Sequence, residues 1–326
     1  LTNLKISGVD ILPLNIDTKP LMENYLRKID VDISDYTFVA NYIWFSYMSP
    51  FYAIINDTFV LFAMNGGELS LMLPPFGELK NIPVAIEKSF EIMLKNNDST
   101  ESLRIDYVDE QIIKSLLEYY GFTLENLDSF EKFIIEKPLV DYIYKTQNLI
   151  ELKGNNYHTK RTEVNKFLKN YPNHRIEPLD PLRDSEKILK LFYKWSKSRI
   201  PTIAEENIGK FLDGILYEHS AIKIMLREYH KLELLGVVLY VDDNIIGFSI
   251  GEMINKRVAS VIFEKTDFDI SGSAQYIYRE FSKILRDIYG SEYINAGDDM
   301  GFENLKKVKM SYRPEKLVPK YTIRVK

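Results

Sequence analysis

Glu264 lies near the end of an apolar, β-branched run, VASVIFEK (258–265), where the two-residue alternation of a strand can aim it into a cleft. Partial burial there would raise its pKa, as a general base taking a proton from an attacking amine or hydroxyl requires. Its neighbour Lys265 offers the alternative of a structural ion pair. Further along, Ser271, Gly272, Ser273 and Gln275 open a helical pattern, AQYIYREFSKILRDIY. Small residues at a helix start leave backbone N–H groups open to an anion, and the helix dipole adds about half a positive charge. Gly272 would permit close backbone approach. Ser271 or Ser273 as a plain N-cap is the alternative. Asp298 and Asp299 end a strand ahead of the run at Phe302, where paired carboxylates could bind an ammonium group. Either could instead cap that helix. An anion seat, a base and an ammonium site together suit group transfer to an amine or hydroxyl.

Charge is unevenly placed. The chain carries −5 overall, yet 1–140 holds 11 Lys/Arg against 21 Asp/Glu, while 141–326 holds 31 against 26. Within the basic half, His158, Lys160, Arg161 and Lys166 lie on a loop-to-helix segment, and Lys306 and Lys309 on a second helix. Successive helical residues point about 100° apart, so Lys160, Arg161 and Lys166 cannot all share one face. Such blocks suit phosphate contact with tRNA or a nucleotide tail, or else are solvated helix faces.

Composition excludes other chemistries. The absence of cysteine removes disulfides, thiolate metal sites and cysteine nucleophiles. The four histidines, at 158, 174, 219 and 230, lack metal-ligand spacing, and no metal is expected. No P-loop, dinucleotide fingerprint or nucleophile elbow is present. No apolar run reaches the roughly 20 residues of a membrane span, and no signal pattern opens the sequence, so a cytoplasmic protein is expected.

The positioning elements follow from periodicity. In the second half, GVVLYV, IIGFSIGEMI and VASVIFEK are strands separated by Asp-Asp-Asn and Asn-Lys-Arg turns. Helices are predicted at 182–197 and 203–217 before them, and spacing favours helix for 221–235. The helix after Ser273 leads to strand EYINAG, helix FENLKKVKM and strand KYTIRVK. The first half repeats this order with strands FYAIIN, TFVLFAM and LSLMLPP, turning at Asn56-Asp57 and Asn65-Gly66-Gly67. Helix 84–96, strand SLRIDYV, helix EQIIKSLLEYYG and strand EKFIIEK follow. The boundary is expected within 138–150.

A meander delivering its last strand into a helix resembles the core of the GNAT acyltransferase fold, where the helix start holds the pyrophosphate of acyl-CoA or the 3′ end of an aminoacyl-tRNA. The segment 142–172 resembles the signature of the DUF2156 family, related to the C-terminal catalytic domain of phosphatidylglycerol lysyltransferases. Tyr144, Leu149, Leu152, Gly154, Tyr157, His158, Lys160, Arg161, Asn165 and Phe167 carry it. Glu264-Lys265 through Gly272, Glu280 and Phe281, and Asp299 through Pro314, agree. The resemblance implies an α+β protein of two tandem GNAT-like (acyl-CoA N-acyltransferase) domains, 1–140 and 141–326, each a mixed, mainly antiparallel sheet flanked by helices. It also implies aminoacyl transfer from aminoacyl-tRNA. Acetyl-CoA-dependent N-acetyl transfer, or a non-catalytic binding module, is the alternative. No cofactor is expected beyond the donor, aminoacyl-tRNA or acyl-CoA. The acceptor is an unspecified amine or hydroxyl, and peripheral membrane contact stays open. A tyrosine placed like Tyr312 can protonate the leaving group in a GNAT fold, or simply face the core. Departures are Ala296-Gly297 where the family tends to have Arg-Glu, Thr162 where it has Asn, and Tyr278 where it has Asn.

Overall fold

The computed structural model describes residues 4–326 except 46–47, 204 and 206–207. Two compact units make up the chain. The first runs to Asp141 and takes in 298–302 and 318–326, and the second comprises 142–297 and 303–317.

In the first unit, strands β1 (Leu4–Ile6) and β2 (Val9–Pro13) precede helices α1 (Lys19–Leu26) and α2 (Phe38–Trp44). The expected meander follows as β3 (Phe51–Ile55), β4 (Thr58–Asn65) and β5 (Glu68–Leu71), with β6 (Phe76–Gly77) paired to β4. Its tight turns need positive φ. Asn56 and Asp57 adopt 49° and 53°, Gly66 and Gly67 60° and 90°. Helix α3 (Ile82–Asn96), strand β7 (Arg104–Val108) and helix α4 (Glu110–Tyr119) come next. Asp109 starts α4 by accepting the Gln111 N–H. Ile112, Ile113, Leu116 and Leu117, at helical spacing, are fully buried.

Strand β8 (Phe133–Lys145) crosses the division at Asp141. The second unit continues with α5 (Thr146–Glu151), α6 (His158–Asn170), β9 (His174–Pro178), α7 (Pro181–Arg199) and α8 (Ile208–Arg227). Strands β10 (Leu235–Val241), β11 (Asn244–Met253) and β12 (Val258–Thr266) form its meander. Helix α9 (Ser273–Tyr289), strand β13 (Tyr293–Asn295) and helix α10 (Glu303–Met310) complete it. Strand β14 (Lys316–Val325) ends the chain.

The strand order is β1-β2-β3-β4-β5-β7-β14 in the first unit and β8-β13-β12-β11-β10-β9 in the second. The first is antiparallel apart from β5 on β7. The second is antiparallel apart from β12 on β13, the step that α9 bridges. Ile277, Phe281 and Leu285 stack every fourth residue along α9 and are fully buried.

Three expectations change. The second domain does not keep all of 141–326, because β14 pairs with β7 (Tyr321 opposite Val108, Ile323 opposite Ile105) and so belongs with the first unit. The helix expected at 203–217 is described from Ile208 and extends to Arg227, while 204 and 206–207 lie outside the described residues. Residues 221–235 are therefore helical only in their first part. Strand β9, short and ending in proline, was not predicted. It survives as an edge strand, where a missing N–H costs little. Among the described residues no helix is long and apolar enough to cross a membrane.

Candidate functional site

The second unit gathers polar groups with unused bonding capacity at one end of β12. Glu264 lies opposite Ser249 of β11 and accepts from its hydroxyl at 3.5 Å, a weak contact. Burial pushes the Glu264 carboxyl up to about 8, only partly offset by that hydroxyl and by Lys265. Lys265 does not form the alternative ion pair with Glu264. It points to the opposite face of the sheet, where its ammonium meets Glu218 at 2.7 Å and the Trp195 ring at 3.8 Å.

Tyr312 follows α10, and two tyrosines of the signature segment set its place. The Tyr157 hydroxyl donates to the Tyr312 carbonyl at 3.0 Å, and the Tyr144 hydroxyl to the Lys309 carbonyl at 3.0 Å. The Tyr312 ring meets Tyr278 of α9 edge-on at 5.2 Å and Tyr144 at 6.2 Å. Over it, 4.0 Å from the centroid, sits the Lys160 ammonium. Burial pushes the Tyr312 phenol up, with the Glu264 charge adding to the effect, and lowers the Lys160 pKa. Glu264, Tyr312 and Lys160 thus belong to one cluster. Sequence reasoning singled out Tyr278 only as a departure from the family, and Tyr144 and Tyr157 only as signature positions, with no sign that their hydroxyls would fix the segment carrying Tyr312.

At the expected anion seat, α6 packs against Gly272. A Cβ on Gly272 would run into the Glu163 carbonyl oxygen and lie 3.0 Å from the Phe167 Cβ, so this glycine (φ 81°) makes room for α6 rather than for a ligand. The Ser271 hydroxyl donates to the Glu163 carboxylate at 3.1 Å, which places a built-in anion beside the α9 N-terminus. Ser273 is buried and donates to the Ile270 carbonyl at 2.7 Å. Gln275 is half-buried on the first turn of α9. No serine side chain caps the helix.

The basic residues separate by what they meet. Arg161 donates to the carbonyls of Leu152 and of Gly154 (2.7 Å), which closes the end of α5. Lys309 donates to the carbonyls of Ala296 and of Gly297 (3.2 Å). Both cations are engaged by backbone, which argues against a phosphate role for either. His158 and Lys166 are exposed along α6. Lys306 is exposed, with Glu303 at 3.5 Å.

Asp299 belongs to the first unit, and its carboxylate accepts the Gly301 N–H at 2.9 Å. That closes a turn ahead of α10, which begins at Glu303. Asp298 does bind an ammonium, but an internal one. Lys320, 1% exposed, bridges Asp298 at 2.9 Å, Asp141 at 2.6 Å and Asp35. Three carboxylate oxygens of this group lie within 4.8 Å of one another, and the Ser34 N–H adds a bond to Asp141 at 2.7 Å. None of the cluster's members except Asp298 drew notice in the sequence.

A protein from Bacteroides thetaiotaomicron superposes with a TM-score of 0.81 at 26% identity, covering 99% of this chain and 100% of that one. The C-terminal, DUF2156 domain of an Agrobacterium fabrum protein gives 0.60 at 14% identity, covering 95% and 90%. L-PGS from Bacillus licheniformis gives 0.57 at 13%, covering 94% and 91%. At these identities the last two speak for the fold, and it is the GNAT-like α+β arrangement with a largely antiparallel sheet that the element order implies. Residues 27–324 match the family described as phosphatidylglycerol lysyltransferase, C-terminal, and the chain belongs to that family.

Proposed function

We propose that the protein is an acyltransferase that moves an aminoacyl group from aminoacyl-tRNA to an amine or hydroxyl acceptor. Family membership supports the reaction class. The observation that carries the reading is the half-buried Glu264, poised near neutral pH and set beside a phenol that burial keeps protonated. A base works best when its pKa lies near the working pH. In this reading the acceptor gives its N–H or O–H proton to the Glu264 carboxylate while its lone pair attacks the ester carbonyl carbon. The tetrahedral intermediate then breaks its bond to the ribose oxygen of the tRNA, and that oxygen takes a proton from Tyr312. Proton return from Glu264 through the acceptor product or solvent restores both groups. Lys160, held on the Tyr312 ring, favours the transient phenolate.

With α6 packed on Gly272 and the Glu163 carboxylate beside the start of α9, the donor's phosphates are better served by other partners. The exposed Lys306, Lys307 and Arg313 adjoin Tyr312 in the chain and suit that role, as do His158 and Lys166 on α6. The test is discharge of bulk aminoacyl-tRNA, followed as loss of radiolabelled ester and its appearance in amine-, peptide- or lipid-containing fractions. Accelerated discharge that Glu264→Gln abolishes is the expected result. Consumption of acetyl-CoA with no effect on the tRNA ester would overturn the reading in favour of N-acetyl transfer. Binding of neither donor would leave an interaction module.

A further inference from the structure

Tyr278 stands on the buried face of α9, 8% exposed, and its hydroxyl has no hydrogen-bond partner among the described residues. A phenol sealed from water without a partner forfeits the hydrogen bond it would make in the unfolded chain. The neighbouring tyrosines are arranged differently, since Tyr144 and Tyr157 each spend their hydroxyl on a backbone carbonyl. The Tyr278 ring is fixed edge-on against Tyr312, and the groups whose charges act on its hydroxyl are Tyr144, Glu264, Tyr312 and Tyr157. An unspent donor is therefore held rigidly within the Glu264–Tyr312 cluster.

We infer that the Tyr278 hydroxyl is a ligand-contacting donor that binds the carbonyl oxygen of the acyl group being transferred and steadies the charge that oxygen acquires. The inference rests on the acyl-transfer reading above. There, Glu264 faces the acceptor's proton and Tyr312 the departing oxygen, so the carbonyl oxygen is the polar atom of the reacting ester still without a partner. A neutral phenol meets that need, because its bond to the oxygen strengthens as the tetrahedral oxyanion forms, with no proton transferred.

The test is Tyr278→Phe, read in two ways. Because the hydroxyl is unpaired in the free protein, the variant should melt no lower than wild type. Its kcat for discharge of aminoacyl-tRNA should fall about 10²-fold with KM little changed. Binding of puromycin, a stable amide analogue of an aminoacylated 3′ end, should weaken at the same time. A melting temperature several degrees lower would show that the hydroxyl is already paired and would overturn the inference. So would unchanged kcat and puromycin affinity in a variant whose wild type is active, and in that case the acyl-transfer reading itself stands. A wild type that neither discharges aminoacyl-tRNA nor binds puromycin would sink that reading and, with it, the role of Tyr278.

Discussion

Lys320 with its carboxylates in the first unit and Glu264 with its tyrosines in the second are both ionisable groups taken out of water, and they are satisfied to very different degrees. Lys320 touches three carboxylates and Asp141 gains a backbone N–H besides, so the Lys320 charge is held well above its ordinary range by its partners despite burial. Glu264 has one weak hydroxyl contact, and burial wins, pushing it toward neutrality. Asp184 sharpens the point within the second unit itself. It is fully buried, yet Arg183, the Tyr240 hydroxyl and the Asp180 N–H keep its carboxyl below the usual range. Partners weigh against burial in deciding ionisation, and inside the Lys320 cluster itself burial still raises the Asp35 carboxyl. A saturated polar cluster is scaffolding, and one with bonds to spare awaits a ligand.

Breaking the saturated cluster should have the largest effect. Lys320→Met leaves Asp35, Asp141 and Asp298 crowded without a counter-charge, a loss of about 3–5 kcal/mol by analogy with other broken buried pairs. Denaturant unfolding of the variant measures it. A loss under 1 kcal/mol would mean the three carboxylates find water or protons easily, and the contrast between the regions would collapse.

Glu264→Gln should do the reverse, costing activity and not stability. Glutamine resembles the protonated acid and does not titrate, so at pH 7 the variant should unfold later than wild type while kcat/KM falls about 10²-fold or more. The pH dependence carries a definite sign. The folded pKa of about 8 lies above the ordinary glutamate value of 4.5, so the folded state binds the proton more tightly. The stability this contributes is complete below about 4.5 and is lost as pH rises through 8. Wild type should therefore weaken relative to Glu264→Gln across that window, while its kcat/KM climbs as the base ionises. A rate falling over the same range would make Glu264 an acid instead.

Alternation along a strand end pointed to Glu264, whereas Tyr312 was marked only through the resemblance to the GNAT fold. Partner choice was not legible. Arg161 and Lys309 look like phosphate ligands in a basic block, but nothing local says that the carbonyls of Leu152, Gly154, Ala296 and Gly297 will claim them. Lys320 reads as an ordinary basic-tail lysine because its partners come from positions 35, 141 and 298. Gly272 is a point of close approach, and what its Cα approaches is the α6 backbone at Glu163. That packing is testable as well. Gly272→Ala should destabilise by about 1–3 kcal/mol through its positive φ and the collision with α6. A variant of normal stability that had lost only donor binding would reopen the anion seat.

Tyr312→Phe offers the smallest and most discriminating change. Phenylalanine keeps the ring face under Lys160 and the edge against Tyr278, so folding should be untouched. The carbonyl of residue 312 still receives the Tyr157 hydroxyl. What disappears is a proton for the leaving group, worth about tenfold in kcat where that group departs as an alkoxide. A thioester's leaving thiolate needs no such help, being stable near neutral pH. Rates with an aminoacyl ester and an aminoacyl thioester, measured side by side, should therefore diverge in Tyr312→Phe and not in Glu264→Gln, which acts on the acceptor. If both donors slow equally, Tyr312 positions the substrate without protonating it, and the open cluster in the second unit supplies a base but no acid.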